Sequence, residues 1–570
     1  MASLTAPPSA PDDYIVLALH NVVAFFNFMF TILTRLFFYI IYYLNINIYY
    51  LYVLLLAFFV FISSLYLDFP AFYYDEVLFY NAAVGAPTDL FIYKKLFNVP
   101  ILLMPYIGAL KAWLYIPIFY LFETTYYSVR LPSIIIVAVS LFFLICLVHK
   151  MFGAQIAFLS AIMFIFNPNI IFHARLDWGP TSLMFLFRNL MFFCGYLYTY
   201  NRKPYFLLFA FLFAALGVFD KLNFVWLLNY FLATLFIVEY LRARKYRHYY
   251  KHFILKCVIF IQFILIIALI LSHYKPIFLE TAVYINFTPS VSSIFFASNL
   301  VADLLNGVGV YNMVFRPQRL HTGFEIANLA IIVLCLIFAL IPQRRTYSNN
   351  YFIYIIIWLG FLIITLVQIF ITPQATGPHH YATLLPVVDL LCILGLYNIF
   401  VILNSKQWYG LLISGFLLFL LLIYRSFIIY TYISSFTLIT PNPYWDKYID
   451  NTAEYILNNY PDTPVITTDW GIATNLQVAT RNQVIVNDFW PWFNDGISQS
   501  QMTWLINNYS RPKSLVIRHV DGREAFINTS FNFTNFINDT RIISKLVAVI
   551  TTQDGSPYIE IFLIQYKNIY

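Results

Sequence analysis

Charged residues are scarce in this chain. Asp, Glu, Lys and Arg make up 10% of its 570 residues, whereas a soluble domain carries about 25%. Hydrophobic residues account for 61% of the chain, and aromatic residues alone for 20%. Many apolar runs have roughly 17 to 25 residues, which is the length that crosses a bilayer as a helix. The composition therefore excludes a soluble protein and predicts a polytopic helical membrane protein rather than a barrel.

Cysteine is also scarce, and its placement excludes two further classes of protein. All five cysteines lie inside apolar runs, and no C-x-x-C spacing occurs. We therefore expect neither a disulfide framework nor a structural zinc site. The first residues, "MASLTAPPSAPDDY", lack the basic n-region of a secretory signal. The membrane segments themselves are then expected to direct the chain to the membrane.

The apolar runs predict the number of membrane crossings. Eleven runs qualify: 47–67, 131–149, 154–172, 181–199, 204–219, 223–240, 257–273, 324–342, 351–371, 381–403 and 409–430. Residues 1–46 form a separate N-terminal segment, in which Arg35 divides the apolar run 14–44. That run either spans the membrane or lies flat on it. We therefore predict 11 to 13 transmembrane helices within a membrane domain of residues 47–430.

Loop charges predict the orientation of these crossings. The basic stretches "RARKYRHYYKH" (242–252) and "QRR" (343–345) should remain cytoplasmic. Counting from them places five segments on the extracytoplasmic side: 68–130, 173–180, 274–323, 373–381 and everything from 431 onward. The count requires that residues 99–122 do not cross, in agreement with their three prolines and the central Lys111. We predict that residues 68–130 form one long outer loop with interfacial helices.

The C-terminal tail differs in character from the rest of the chain. From about residue 440, short runs such as "TPVITTDWG", "NQVIVND", "KSLVIRH", "KLVAVITT" and "YIEIFLIQ" have the pattern of strands. Helical patterns at 446–459 and 496–509 lie between some of them. Residues 440–570 are therefore predicted to form an extracytoplasmic α/β domain.

Acidic residues stand at two positions of the predicted outer face. Asp75 and Glu76 follow the first span within "YYDE", where they either perform chemistry or form a solvated pair that caps the helix of "EVLFYNAA". Asp177 lies in "HARLDWGP" directly before the next span. It either takes part in chemistry or closes a turn by an ion pair with Arg175.

Cations and histidines are found in the other outer loops. We interpret Asp220 and Lys221 as a solvated charge pair in an outer turn. Arg316, Arg319 and His321 cluster before a span, where they bind either an anionic ligand or lipid headgroups. His379 and His380 are adjacent, so a two-histidine metal clamp is not expected, although one of them is suited to a phosphate or a metal.

Together these groups fit the transfer of a group from a lipid-linked phosphate. A carboxylate near the acceptor can take its proton, and cations can stabilise the charge that grows on the departing phosphate. Aromatic residues around Asp75 should raise its pKa by desolvation and make it a better base.

Three stretches carry a family resemblance: "YYDE", "SVRLPS" (128–133) and "ARLDWGP" (174–180). With "GALKAWLYIPIFYLF" and "FGAQIAFLSAIMFIFNPNIIF" around them, the layout of residues 47 to about 400 resembles the type C membrane glycosyltransferases (GT-C) of the protein O-mannosyltransferase and aminoarabinose transferase superfamily. The tail is similar to the soluble domains of several members.

The resemblance implies a polyprenyl-phosphate sugar donor, inverting transfer and a catalytic acid in the first outer loop. That acid maps onto Asp75 with Glu76 beside it, and a second acid maps onto Asp177. Lys111 and Arg130 match basic positions of the first loop that could meet the donor phosphate. The full set of phosphate-binding candidates is Lys111, Arg130, Arg175, Arg316, Arg319 and His380.

The expected protein is thus an integral membrane glycosyltransferase of the cell envelope, in the plasma membrane or the endoplasmic reticulum, whose acceptor is a protein, a lipid or a glycan. No nucleic acid partner and no certain cofactor are expected. The sequence leaves open whether Asp75, Asp177 and His379 bind a divalent Mg or Mn ion. The alternative is a transporter or lipid flippase, which would carry charges near the midplane of broken helices and internal repeats.

Overall fold

The computed structural model describes most of the chain with side chains. The described residues are 47–85, 90, 92–245, 291–315, 318–341, 349–371, 378–404, 409–439, 441, 445–510, 513–524, 526, 528–552 and 554–567. The predicted span 257–273 and the N-terminal segment 1–46 lie outside them.

Helices of various lengths, most of them apolar, make up most of the described chain before the tail. In chain order they are α1 (Ile48–Ser63), α2 (Tyr80–Val84), α3 (Leu110–Leu121), α4 (Tyr126–Phe152), α5 (Ala154–Ile165), α6 (Pro168–Leu176), α7 (Thr181–Asn201), α8 (Pro204–Asp220), α9 (Phe224–Lys245), α10 (Val291–Leu305), α11 (Gly309–Val314), α12 (Glu325–Ala339), α13 (Asn349–Ile371), α14 (Val387–Asn404) and α15 (Tyr409–Leu438). Each predicted span that falls on described residues coincides with one of these helices, or with the pair α5 and α6.

Five of the described helices are long and apolar enough to cross a membrane, or six crossings if the bent pair α5 and α6 counts as one. Shorter apolar helices, including α1, α8 and α12, pack beside them. Close approach depends on small residues: a Cβ on Gly395 of α14 would lie 1.9 Å from the carbonyl oxygen of Cys335 in α12. Such small-residue contacts are typical of packed membrane helices. The predicted polytopic helical fold is confirmed.

The pair α5 and α6 is bent by 59°. Asn167 caps α6 by accepting a hydrogen bond from the Ile170 amide, and its side-chain amide donates to Asp389 at 2.7 Å. Arg425 of α15 donates to the other oxygen of Asp389 at 2.5 Å and to the Met163 carbonyl at 3.0 Å. Both charged side chains are buried. This ion pair therefore holds the break between the two helices, and the break sets the direction of α6.

Residues 68–125 are more structured than the predicted loop of interfacial helices. A three-stranded antiparallel sheet, β1 (Lys94–Leu96), β2 (Val99–Met104) and β3 (Ile107–Gly108), precedes α3. Pro100 lies in a strand, and Pro117 lies inside α3 without ending it. The proline pattern therefore correctly excluded one long helix, but it gave no sign of the sheet, because the hairpin depends on pairing within the loop.

The tail is an α/β domain, as predicted. Its sheet has the order β5-β4-β6-β8-β7, with β4 (Val465–Thr467), β5 (Val486–Asp488), β6 (Ser514–His519), β7 (Ile542–Thr551) and β8 (Pro557–Tyr566). Its helices are α16 (Tyr448–Asn459), α17 (Ala473–Ala479), α18 (Trp490–Asp495), α19 (Gln499–Tyr509) and α20 (Asn528–Ile537). The five predicted strands and the two predicted helices are all present, whereas the short helices α17, α18 and α20 were not predicted.

The tail is bonded to the first loop. The Asn475 side chain donates to the Phe72 carbonyl at 3.1 Å, and the amide of Ala71 donates to the Trp445 carbonyl at 2.9 Å. The hydroxyl of Tyr126 donates to Asp450 at 2.8 Å. Strands β4, β5 and β6 run parallel, so their carboxyl ends lie at one edge of the sheet. Trp470, which follows β4, packs on Tyr74 with 4.6 Å between ring centroids.

The buried pair at the break gives a test of the fold. Replacing Asp389 by Ala should destabilise the protein by about 3–5 kcal/mol, because the Arg425 charge would remain buried without its partner. The double variant Asp389→Leu/Arg425→Met should be more stable than that single variant. Thermal unfolding in lipid nanodiscs measures both. Equal losses in the single and double variants would show that the pair does not hold the break.

Candidate active site

The two acids of "YYDE" have different environments. Glu76 is buried, and its carboxylate accepts two hydrogen bonds from Arg130, at 2.6 and 2.9 Å, and one from the Tyr73 amide at 3.3 Å. The Asp75 carboxylate is partly exposed, and no hydrogen bond to it is found among the described residues. Of the predicted acidic pair, only Asp75 is available to a substrate.

Arg130 explains why Glu76 is held. Its five N–H donors all have acceptors: Glu76 takes two, and the carbonyls of Leu67, Pro70 and Ala71 take the others, at 2.5, 2.9 and 3.3 Å. The side chain has no exposed surface. A guanidinium with every donor occupied is poorly suited to bind a phosphate. The arrangement favours a role in holding the chain ahead of Asp75.

Arg175 acts on the same segment from α6. It donates to the carbonyls of Tyr66 and Phe69 at 2.5 and 2.8 Å, and its guanidinium lies 4.8 Å from the centroid of the Phe436 ring. Arg175 and Arg130 together bind five carbonyls between residues 66 and 71. We call these two arginines with Glu76 the loop clamp. The ion pair of Arg175 with Asp177, which the sequence left open, is not formed.

Asp177 pairs instead with Lys111. The Lys111 ammonium lies 2.6 Å from the Asp177 carboxylate, with both side chains buried, and 4.1 Å from the centroid of the Phe79 ring. Asp177 also accepts from the amide and the hydroxyl of Ser182, at 2.7 and 2.8 Å. Its left-handed backbone, with φ of 39°, ends α6 and turns the chain toward α7. Asp177 therefore joins the first loop to the start of α7.

The environment of Lys221 differs from the sequence-based prediction. The predicted solvated pair of Asp220 and Lys221 is wrong, because both side chains are buried. Burial lowers the pKa of Lys221, and the charges of Asp75, Asp220 and Asp177 oppose the shift. The ammonium lies so close to the turn before α7 that a Cβ on Gly179 would be 3.4 Å from it. Gly179 has a φ of +57°, which favours glycine at this place.

Lys221 reaches this position through the first loop. Residue 221 forms an isolated bridge with Ile107 of β3, and the amide of Leu222 donates to the Tyr106 carbonyl at 3.0 Å. The unpredicted sheet thus supports the turn between α8 and α9. No sequence pattern indicated this contact, since the two segments lie more than a hundred residues apart.

The environment of Asp220 also differs from the prediction. Both of its carboxylate oxygens are buried without a hydrogen bond among the described residues. Lys111 and Lys221 are its oppositely charged neighbours, and Asp177 is a neighbour of like charge. The buried cluster therefore combines two lysines with Asp177 and Asp220, and it borders Asp75.

The histidines complete the cluster as neutral groups. Burial lowers the pKa of His380 to about 3, and the charge of Lys221 adds to the shift. Burial also lowers the pKa of His379, with His380, Lys221 and His173 adding to the effect. The rings of His379 and His380 lie 3.9 Å apart, and His379 stacks on Trp178 at 5.4 Å. The short 3₁₀ turn Pro378–His380 brings the adjacent rings together, against the expectation that they diverge.

Neutral imidazoles can donate or accept hydrogen bonds but supply no charge. His380 is thus a candidate hydrogen-bond donor to a phosphate rather than a cation. Arg188 of α7 is buried, and it supports this turn region by donating to the carbonyls of Thr383 and Leu385 at 2.9 and 2.7 Å. Its part is to hold the segment that carries the two histidines.

The remaining phosphate candidates lie elsewhere. Arg319 and His321 are exposed in the segment before α12. Arg316 lies outside the described residues. The structure therefore brings together Asp75, Asp177, Lys111, His379 and His380 from the predicted set, places Arg130 and Arg175 in the loop clamp, and adds Asp220 and Lys221.

The arrangement of these side chains does not favour a bound metal ion. Among the described residues, no group of three or more His, Cys, Asp or Glu side chains is placed to hold one. Both oxygens of Asp177 are already engaged by Ser182 and Lys111. The residues proposed for Mg or Mn do not fit such a site.

The tail supplies one more acid at the edge of the cluster. Asp488 ends β5 and accepts from the Thr467 hydroxyl at 2.8 Å. Burial raises its pKa to about 7, and the hydrogen bond from Thr467 opposes the shift. Burial raises the pKa of Tyr74, and the charges of Asp488 and Asp75 add to the shift. Asp488 and Asp75 are therefore both close to Tyr74.

Comparison with solved structures identifies the fold. Two crystal structures of ArnT from Cupriavidus metallidurans, one bound to undecaprenyl phosphate and one in the apo state, match with a TM-score of 0.53 each. They are 11% and 12% identical to this chain, and each match covers 90% of this chain and 97% of ArnT. The chain has the fold of the type C membrane glycosyltransferases.

A comparison of sequences agrees with the fold. Residues 108–273 match the sequence model of the dolichyl-phosphate-mannose-protein mannosyltransferase family. A search of curated proteins finds no match. The matched segment begins at β3 and contains Lys111, Asp177 and Lys221. Both comparisons agree with the resemblance to the type C glycosyltransferases that "YYDE", "SVRLPS" and "ARLDWGP" carry.

We expect substitutions of Glu76, in the loop clamp, and of Asp75 to change the stability of the protein by different amounts. The variant Glu76→Ala should destabilise the protein by about 3–5 kcal/mol, because it leaves the Arg130 charge buried and unpaired. Asp75→Ala should change stability by less than about 1 kcal/mol, because no hydrogen bond is lost. Thermal unfolding of both variants measures the difference. Similar losses of stability in the two variants would contradict the separate roles of these neighbours.

Proposed function

We propose that this protein transfers a sugar from a polyprenyl-phosphate-linked donor to an acceptor hydroxyl, with inversion, and that Asp75 is the general base. The observation that carries the proposal is a partly exposed carboxylate, Asp75, beside a buried lysine, Lys221. The match to a dolichyl-phosphate-mannose-protein mannosyltransferase family and the fold shared with ArnT, solved with undecaprenyl phosphate, support a lipid-linked donor.

Asp75 takes the acceptor proton. A free aspartic acid has a pKa of about 3.9 and is a weak base. Burial raises the pKa of Asp75 to about 6, while the charge of Lys221 opposes the shift. The carboxylate is therefore still ionised at neutral pH and binds a proton more readily than a solvated one does.

Lys221 receives the negative charge that leaves the sugar. As the acceptor oxygen forms its bond to the anomeric carbon, the bond from that carbon to the phosphate oxygen breaks, and polyprenyl phosphate departs as an anion. A buried ammonium stabilises this anion more strongly than an exposed one would. Lys111 is already paired with Asp177, so we assign the first contact with phosphate to Lys221. His380 donates a hydrogen bond as a neutral imidazole.

The acceptor enters between the first loop and the tail. Asp75 and Asp488 border Tyr74, and the hydrogen bonds from Asn475 and Tyr126 hold the two parts together. We place this site on the extracytoplasmic side, as the basic stretches 242–252 and 343–345 predict. A transferase is favoured over a transporter because the charges around Lys221 gather at one end of the helices rather than midway along them.

Replacing Asp75 by Asn tests the base. Loss of a general base typically lowers the rate 10²- to 10⁴-fold, and we expect a loss of that size with unchanged thermal stability. The assay measures release of polyprenyl phosphate from a panel of polyprenyl-linked sugars by the purified protein. Asp68→Asn is the matched control, because Asp68 is a partly exposed acid of the same loop, with Lys447 at 3.6 Å as its ion-pair partner. Full activity of Asp75→Asn would refute the assignment.

The pH dependence tests the coupling between Asp75 and Lys221. Activity should fall as the pH drops through about 6, because the raised pKa of Asp75 leaves the carboxyl protonated below that value. In Lys221→Gln the midpoint should move to higher pH, since the charge that holds the pKa of Asp75 down is gone. The pH profile of kcat/KM measures both midpoints. An unchanged midpoint in Lys221→Gln would show that the two groups do not interact in the working enzyme.

A further inference from the structure

A cavity lies far from the active site, between α4, α7, α9 and α13. It has a volume of about 250 Å³ and an apolar, aromatic lining that includes Phe192, Phe231, Leu235, Val238, Ile357 and Trp358. That volume corresponds to about eight water molecules, whereas protein interiors contain few voids larger than one. The apolar part of this space does not retain water, because water there lacks polar partners.

The cavity lies toward the end of these helices that is opposite to the site. Helix α7 begins at Thr181, beside Asp177, and ends at Asn201, and α9 begins at Phe224, near Lys221, and ends at Lys245. The cavity is lined by Thr199, Tyr200 and Arg242 from the far ends of these helices. A helix of 21 residues is about 30 Å long, close to the hydrocarbon thickness of a bilayer. The cavity and the catalytic cluster therefore face opposite leaflets.

Cations with unused donors stand at this end of the cavity. Arg242 lines it and donates to the Thr199 carbonyl at 3.0 Å, while its Nη1 lies 3.5 Å from Glu239 without a hydrogen bond. Arg202 pairs with the same Glu239 through Nη1. The Nη2 of Arg202 and the Nη1 of Arg242 are enclosed and have no hydrogen-bond partner among the described residues. One carboxylate thus serves two guanidinium groups, and the trio has a net charge of +1.

The aromatic residues at this end match a membrane interface. Tyr196, Tyr200 and Tyr354 contribute to the cavity wall, and tyrosine is enriched where hydrocarbon meets headgroups. An apolar slot beside cations at that depth has the form of a phospholipid site, in which basic groups between helices take the headgroup.

We propose that this cavity binds an anionic phospholipid from the leaflet opposite to the active site. One acyl chain fills the space between α7, α9 and α13, and the headgroup phosphate accepts hydrogen bonds from Arg242 and Arg202. The net positive charge selects an anionic headgroup over a zwitterionic one. This site is separate from the donor site at Lys221, and the inference does not depend on the proposed reaction.

Native mass spectrometry of the purified, delipidated full chain tests the proposal. Phosphatidylglycerol should bind about tenfold or more tightly than phosphatidylcholine, and Arg202→Gln/Arg242→Gln should lose that preference. Lys203→Gln is the matched control, since Lys203 is an exposed cation at the same end, and it should retain the preference. Equal binding of the two lipids to the unmodified chain, or an unchanged preference in the double variant, would overturn the proposal.

A second variant tests the acyl chain and does not alter charge. Val238→Phe narrows the cavity and should weaken binding of both lipids, while thermal unfolding in detergent confirms that the variant is folded. Glycerol phosphate, which has the headgroup chemistry without the chain, should not displace phosphatidylglycerol. Displacement at matched concentrations would show that only a phosphate site exists, and unchanged lipid binding by folded Val238→Phe would exclude the cavity as the chain site.

Discussion

The structure of the site depends on two buried guanidinium groups that bind the backbone at the start of the first loop. Arg130 and Arg175 come from different helices, yet together they engage five carbonyls between residues 66 and 71. Carbonyls in an irregular segment near hydrocarbon would otherwise be left without partners, at a cost of several kcal/mol each. By satisfying them, the arginines allow the chain to leave α1 in one conformation. Asp75 follows only a few residues later, so its position is fixed by this contact.

The same contact explains why two neighbouring carboxylates occur among aromatic residues. A buried arginine needs a counter-ion, and Glu76 supplies it. For Asp75, by contrast, no hydrogen bond is found among the described residues. The two neighbouring acids therefore differ in role, because the carboxylate of Glu76 is occupied by its hydrogen bonds to Arg130. The tail adds to this order, since Asn475 binds the Phe72 carbonyl and Trp470 packs on Tyr74. A soluble domain thus helps to shape a site that belongs to the membrane domain.

A small number of cations balances the negative charges of the acids at the site. Lys111 is neutralised by Asp177, and the nearby histidines are held neutral by burial and by the charge of Lys221. Lys221 is then shared among Asp75, Asp177 and Asp220. With two lysines and three acids, the site has a net charge that is close to zero or slightly negative before the donor binds. A lysine surrounded by acids is charged and already desolvated, which suits it to receive an anion that appears during the reaction.

Residue order alone indicated the helical membrane architecture and the strands of the tail, and it named Asp75, Asp177 and Lys111 as candidate site residues. These follow from hydrophobic run length, alternation and local motifs, which act over a few residues. It did not distinguish Asp75 from Glu76, it gave no sign of the carbonyls that Arg130 and Arg175 bind, and it placed Lys221 in solvent. Each of those outcomes depends on a partner tens to hundreds of residues away: Leu67 for Arg130, Phe69 for Arg175 and Ile107 for residue 221. Whether a charged side chain is free, paired or buried is decided by packing between distant segments, and only the tertiary structure contains that information.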